Sequence, residues 1–325
     1  MKKFIGFLGV FAFMAVMAFG QSNTADVDQQ GGNQNASVTQ TGSTNIADVD
    51  QFTDNFGPQA STVIQTGDGN TVDVDQSQTG GGNNTPANTA FIQQIGVNNS
   101  GVQYQNAPGS NSGQHVTAHQ WGNTNNVEQR IFSGHTESFF TQQDGNSNNA
   151  IQEATGGGHN HGVIYQTGDA NYAKQEIFGT NNGYMSADVL INQLGNDNDA
   201  TQHFTGNGSS HKNNGEIYQT GDLNEASQIA DGRSLDLQIT QDGLENTASQ
   251  DATGNNFDLG VGGLIINQNG DYNEASQFAS GNGIEGYIYQ TGNLNTATMS
   301  QTGDQNWSTI TQTGNSNSAT VTQTP

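Results

Sequence analysis

The chain has 325 residues, of which 30% are hydrophobic and 11% charged, with 44 glycines, four prolines and no cysteine. Such a composition excludes an ordinary apolar core and, taken alone, describes a disordered chain. Thirty acidic residues against six basic ones exclude nucleic acid as a partner, and the absence of cysteine excludes a disulfide framework.

In chain order, the first segment reads as a secretory signal. Lys2 and Lys3 precede an apolar run from Phe4 to Phe19, and Ala18-Phe-Gly20 has the small-x-small form of a cleavage site. The run is shorter than the roughly 20 residues of a spanning helix. Residues 1–20 are therefore expected as a signal peptide and 21–325 as the mature, secreted chain, not inserted in a membrane. Without Lys2 and Lys3, only Arg130, Lys174, Lys212 and Arg233 balance the 30 acidic residues.

Next comes Asn23-Thr-Ala25-Asp-Val27-Asp-Gln29, and Asp-Val-Asp returns as Asp48/Asp50 and Asp73/Asp75. With Ala and Val inward, Asp26, Asp28, Asp48, Asp50, Asp73 and Asp75 point outward from strands, because alternate residues share a face. Stacked in register, they form two carboxylate columns with about 4.8 Å between charges. That spacing costs roughly 0.9 kcal/mol per pair in water before screening. A solvated acidic face is the plain reading. The sharper one is that calcium or low pH relieves the repulsion and promotes assembly.

The organising phrase is Gln-x-Gly-x-x-Asn. It begins at Gln30, Gln40, Gln65, Gln78, Gln94, Gln120, Gln143, Gln166, Gln193, Gln219, Gln241, Gln268, Gln290, Gln301 and Gln312. Gly and Asn are read as turn residues that tolerate positive φ. Between turns run short alternating segments, so the inward set is Asn, Ala or Ser, an aliphatic residue, and Gln. Two strands and two turns make a rung of about 22 to 27 residues. Examples are Gln166, Gly168, Asn171 and Ala173, then Gln219, Gly221, Asn224 and Ala226. Identical polar side chains can satisfy one another from rung to rung, which lets a polar chain fold. The expected fold is all-β, a two-sheet β-solenoid with one tight edge and one edge of variable turns. Val102 to His119 breaks the pattern and is expected as an irregular excursion.

Candidate chemistry is thin. Asp68, Asp169, Asp222, Asp271 and Asp304 follow turn glycines and read as turn chemistry. His159 and His161, and the group His115, His119 and His135, lie on loops without a completing ligand set. No catalytic triad, phosphate loop or paired catalytic carboxylate stands out, so neither enzyme nor cofactor is expected. Tyr165, Tyr218, Tyr289, Trp121 and Trp307 read as outward aromatics that pack across rungs.

The last stretch is the most regular. Gln290, Gly292, Asn295 and Ala297 are followed at eleven-residue steps by Gln301, Gly303 and Asn306, then by Gln312, Gly314, Asn317, Ala319 and Gln323. The pattern aliphatic-x-Gln-x-Gly-x-x-Asn-x-Ala-x-x-x-Gln resembles the curlin repeat of curli subunits, secreted bacterial amyloid proteins. The likeness covers about nine-tenths of the mature chain. It departs in length, and in most middle rungs the return-strand Gln stands at the fourth position after Asn instead of the sixth. The resemblance implies export through a dedicated outer-membrane pore, a nucleator subunit, and extracellular fibres serving biofilm matrix and adhesion. Physics points the same way, because an open solenoid end is an unpaired strand edge. End-to-end addition of identical copies does not close, so it yields a filament. The alternative is a secreted monomeric solenoid that binds something, as an adhesin or an ice-binding protein does, with Thr309/Thr311 and Thr320/Thr322 as its outward threonines.

Overall fold

The computed structural model describes residues 14–19, 22–54, 58–79, 87–108, 113–132, 137–156, 159–180, 185–207, 211–255 and 263–325. Among these there is no helix. Twenty-six strands, β1 to β26 in chain order, alternate strictly between two sheets of 13. Odd-numbered strands pair in one sheet and even-numbered strands in the other, each with its neighbours two places away. Pairing within each sheet is parallel. The chain is thus a two-sheet β-solenoid. Corresponding residues of successive rungs lie 22 to 29 apart, so the longest rung exceeds the expected range.

Burial alternates along almost every strand. In β4 (Ile46–Thr53), Ala47, Val49 and Gln51 are buried while Asp48 and Asp50 are exposed. The inward set is the one read from the sequence. Its apolar columns are narrow: a run of Ile164, Ile191, Ile217, Ile239, Ile266 and Ile288 on one sheet faces Ala173, Ala200, Ala226, Ala248 and Ala275 on the other. Where a large ring enters, a glycine makes room. A Cβ at Gly162 would stand 2.9 Å from the Phe139 ring, and a Cβ at Gly215 would collide with Phe204.

The two edges differ. From Thr41 onward, each of the twelve connections from an odd to an even strand is four residues, Gly-x-x-Asn. Those in the opposite direction run from two residues after Arg233 to eight after Thr79. The tight turn corrects one expectation. Positive φ falls on the glycine and on the residue before the Asn, not on the Asn itself: Gly221 (φ 101) and Leu223 (φ 58), Gly270 (φ 121) and Tyr272 (φ 56). Leu and Tyr occupy a region costing roughly 1–2 kcal/mol. Stacking imposes it, because the amide of that residue donates to the turn below, as Leu223 N does to Asn196 O at 3.0 Å.

Among the described residues of 102–119, which leave out 109–112, the expected excursion is not seen. β8 (Ser100–Pro108) and β9 (Gln114–Trp121) are full strands paired on both sides, so the rungs before and after belong to one stack. The phrase at Gln30 is also one residue out of step. Its turn is Gly31 (φ 119) to Asn33 (φ 61), Gln30 is exposed, and Gln34 points inward.

Candidate assembly faces and polar ladders

Three kinds of buried ladder run along the solenoid axis. On the odd sheet, Gln40 donates through Nε2 to Gln65 Oε1 at 2.8 Å, and the same bond repeats at each rung to Gln312 at 2.8 to 3.0 Å. Each amide also reaches across the core; Gln219 Nε2 donates to Asp199 O at 2.9 Å. At the tight edge, Asn224 N donates to Asn198 Oδ1 at 3.0 Å and Asn224 Nδ2 to Gly243 O at 2.9 Å, as in neighbouring rungs. A buried amide without a partner costs on the order of 1–3 kcal/mol, so these ladders fix the register of the stack.

The third ladder, on the even sheet, is broken twice. Gln29, Gln51, Gln76 and Gln105 form a first run with bonds of 2.6 to 2.7 Å. Gln103, Gln129, Gln152, Gln175, Gln202, Gln228, Gln250 and Gln277 form a second, two residues nearer the tight edge. Gln301 and Gln323 return to the first column at 3.1 Å. β8 carries both Gln103 and Gln105 and hands one ladder to the next. That is why its sequence looks irregular while its backbone is not.

Gln166, Gln219, Gln290, Gln301 and Gln312 are members of these ladders. Gly168, Gly221 and Gly292 stack so closely that a Cβ on each would meet the carbonyl oxygen of the next turn glycine, Gly195, Gly243 and Gly314. Gly303 and Asn306 lie in the turn of the variable edge, which is tight at this end, and Gln301 in the even-sheet strand just before it. Asn171, Asn224 and Asn295 are buried, whereas Asn317, Ala319 and Gln323 belong to the last rung and are half-buried.

The aspartate columns form as expected. Asp26, Asp48 and Asp73 are in register, as are Asp28, Asp50 and Asp75. They stop at Val102 and Tyr104. Burial, then Asp48, Asp28, Asp73 and Asp26, raises the pKa of Asp50. Burial and then Asp48 raise that of Asp73, and burial, Asp50 and Asp73 that of Asp75. Among the described residues no group of three or more His, Asp or Glu is placed to hold one metal ion.

A second acidic array, in the turns, does more than shape its own turn: it caps the rung below it. Asn146 N donates to Asp169 Oδ1 at 2.7 Å, Asp169 N to Asn196 Oδ1 at 2.9 Å, and Asn196 N to Asp222 Oδ1 at 2.7 Å. Leu244 N donates to Asp271 Oδ1 and Asp271 N to Asn293 Oδ1, both at 3.0 Å. The Ser43 hydroxyl and amide, both donating to Asp68, lower its pKa. Along this ladder every aspartate lies between uncharged neighbours.

The histidines serve packing and pairing. His115 meets Thr89 Oγ1 at 2.7 Å, and His119, its pKa lowered by burial, meets Gln93 Oε1 at 3.1 Å and lies between Phe91 and Phe140. His159 and His161 stand apart from these, and His135 lies outside the described residues. Tyr165 packs on Phe140, Trp121 on His119, and Tyr289 stacks on Tyr287. Trp307 is exposed, as are Thr309, Thr311, Thr320 and Thr322 on the last two strands.

The sequence model of the curlin associated repeat matches three segments, residues 20–52, 211–243 and 292–324. The chain carries the curlin associated repeat in these three segments. The three segments lie at the first rungs, the middle and the last rungs of the solenoid. Among curated proteins none matches the chain. This architecture accounts for the interior just described: each rung supplies two strands, one tight turn and one member of each polar ladder.

Proposed function

We propose that the mature chain is a secreted structural subunit that adds end to end into extracellular curli-type amyloid fibres for biofilm matrix and cell adhesion. Residues 1–20 act as its signal peptide, and a nucleator and an export pore are its partners in assembly. The carrying observation is the state of the two end faces. At one end Ala25 and Val27, and at the other Ala319 and Val321, are only half-buried against the core. The strands that carry them hold the full inward set of a rung. A neighbouring copy would extend every ladder by one more bond, each contributing about 0.5–1.5 kcal/mol net.

The test is fibre formation by the purified chain from Gln21 onward. Thioflavin fluorescence should rise with time, and the product should diffract at about 4.7–4.8 Å. A stable monomer at high concentration over days would overturn the reading.

A further inference from the structure

The end faces carry more than an unpaired edge. Within a ladder, a glutamine such as Gln65 donates to the next rung and to a carbonyl across the core, and accepts from the rung before. Gln40 and Gln29 accept nothing: their Oε1 atoms are buried and without a partner, and so is that of Gln34. Two internal glutamines share this state where a ladder starts behind an apolar residue, Gln103 behind Val74 and Gln301 behind Ala279. Gln29, Gln34 and Gln40 differ because they belong to β2 (Thr24–Gln30) and β3 (Gln34–Thr41), the first strands of the mature chain. At the other end lie β25 (Trp307–Thr313) and β26 (Ser318–Gln323). Here the deficit is of the opposite kind. Gln312 Nε2 donates only to Thr296 O and Gln323 Nε2 only to Trp307 O. Acceptors wait at one face and donors at the other, which gives the stack a direction.

The count of strands then fixes the rotation. β1 (Met14–Phe19) lies in register with β3, with Ala18 at the position of Gln40, where every later rung of that sheet has glutamine. Loss of the signal peptide removes β1 and leaves β2 to β26, 12 strands in the odd sheet and 13 in the even. That is twelve and a half rungs. If a second copy kept the orientation of the first, β26 would meet its β2, but β25 would face the slot left by β1. A half turn about the axis removes this gap. It carries the even sheet of the second copy onto the odd sheet of the first and keeps the strands parallel. β2 then stacks on β25 and β3 on β26.

The residues match in that arrangement. Ser308, Ile310 and Gln312 meet Ala25, Val27 and Gln29. Ala319, Val321 and Gln323 meet Ala36, Val38 and Gln40. Both open donors thus find the two buried acceptors. The turns match as well. Gly31 (φ 119) and Asn33 (φ 61) repeat the backbone of Gly314 (φ 106) and Ser316 (φ 57). They would seat on Gly314, the one tight-edge glycine from Gly42 onward whose Cβ position meets no following turn.

We infer that successive copies stack in one direction, the β25/β26 face of one on the β2/β3 face of the next, each turned by half a revolution, so that the tight and variable edges alternate sides along the fibre. The inference rests on the fibre reading, on removal of residues 1–20 and on β26 as the last strand of the subunit.

The natural chain has no cysteine, so disulfides can report the neighbour. Cα atoms in adjacent strands lie about 4.8 Å apart, within disulfide reach. Under mild oxidation, fibres of the mature T311C/D28C variant should give a ladder of covalent oligomers on a non-reducing gel, and fibres of T322C/D28C should not. Unmodified fibres imaged by cryo-electron microscopy should show one subunit per about 60 Å with a rotation near 180° added to the twist of the sheets. A ladder from T322C/D28C, or a subunit repeat without the half turn, would overturn the inference while leaving the fibre reading intact. Absence of fibres would remove both.

Discussion

The tight and variable edges are built from the same residue types and differ in how regularly they stack: at the variable edge Gly232 and Gly281 still press on Gly254 O and Gly303 O, whereas Gly283 presses on no backbone. At the tight edge each turn is covered by another turn, so backbone approaches backbone. A Cβ on Gly168 would run into Gly195 O, and Gly168 has φ +113, far from the left-handed helical well. At the variable edge Gly283 has φ +65, and the nearest atom to its Cβ position is Gln305 Cγ at 3.8 Å. The first glycine is required by the neighbouring rung and the second only by its own turn. A solenoid therefore tolerates variation wherever loops need not stack, at a loop-closure cost that grows only slowly with length.

The sharpest way to break this comparison is the same substitution at both edges. Gly168→Ala should cost about 3 kcal/mol or more, through strain outside the allowed regions and the collision with the following turn. Gly283→Ala should cost about 1–2 kcal/mol, the left-handed penalty alone. Denaturant unfolding of the soluble chain, or the lag time of fibre growth, would report both. Equal losses would show that a covered turn demands glycine no more than an uncovered one does.

The two acidic arrays extend the contrast. The columns of Asp26, Asp48, Asp73 and Asp28, Asp50, Asp75 stack like charges, whereas the turn ladder separates each aspartate from the next by an uncharged residue. In the columns the folded-state pKa values of Asp50, Asp73 and Asp75 lie above the usual carboxylate range. A raised value means that the folded chain holds the proton more tightly than the unfolded one. Stability is therefore lost as pH rises through the raised values and regained as pH falls below the ordinary range. Assembly should quicken as pH falls from neutral toward that range, and the D50N/D75N variant should be faster at neutral pH with a flattened pH profile. A variant that kept the full pH response would place the titrating groups elsewhere. The smallest effect is expected in the turn ladder. Asp222→Asn should change stability by no more than about 0.5 kcal/mol, since an amide oxygen accepts the Asn196 amide equally well.

Much of this was legible in the residues. The period of two named the inward set, and the recurring Gln, Gly and Asn named the rungs. The in-register aspartates followed once the strands were stacked. Other features were hidden because they depend on what lies 22 to 29 residues away. The segment around β8 looked irregular because a glutamine ladder changes column there. The turn phrase at Gln30 matched the motif by letter, yet stacking chose Gly31 and Asn33. Nothing in Leu223, Tyr272 or Leu294 announces positive φ; the turn below demands it.

The sequence by itself determined that the chain is a repeating all-β solenoid with a polar, laddered interior, because strand alternation and turn chemistry are local and recur too often to be accidental. Only the tertiary structure decided which glutamine follows which, where a ladder changes column, and which amides are left without a partner at the two ends. Those are relations between rungs, and a hydrogen bond across rungs depends on register, which no single repeat contains.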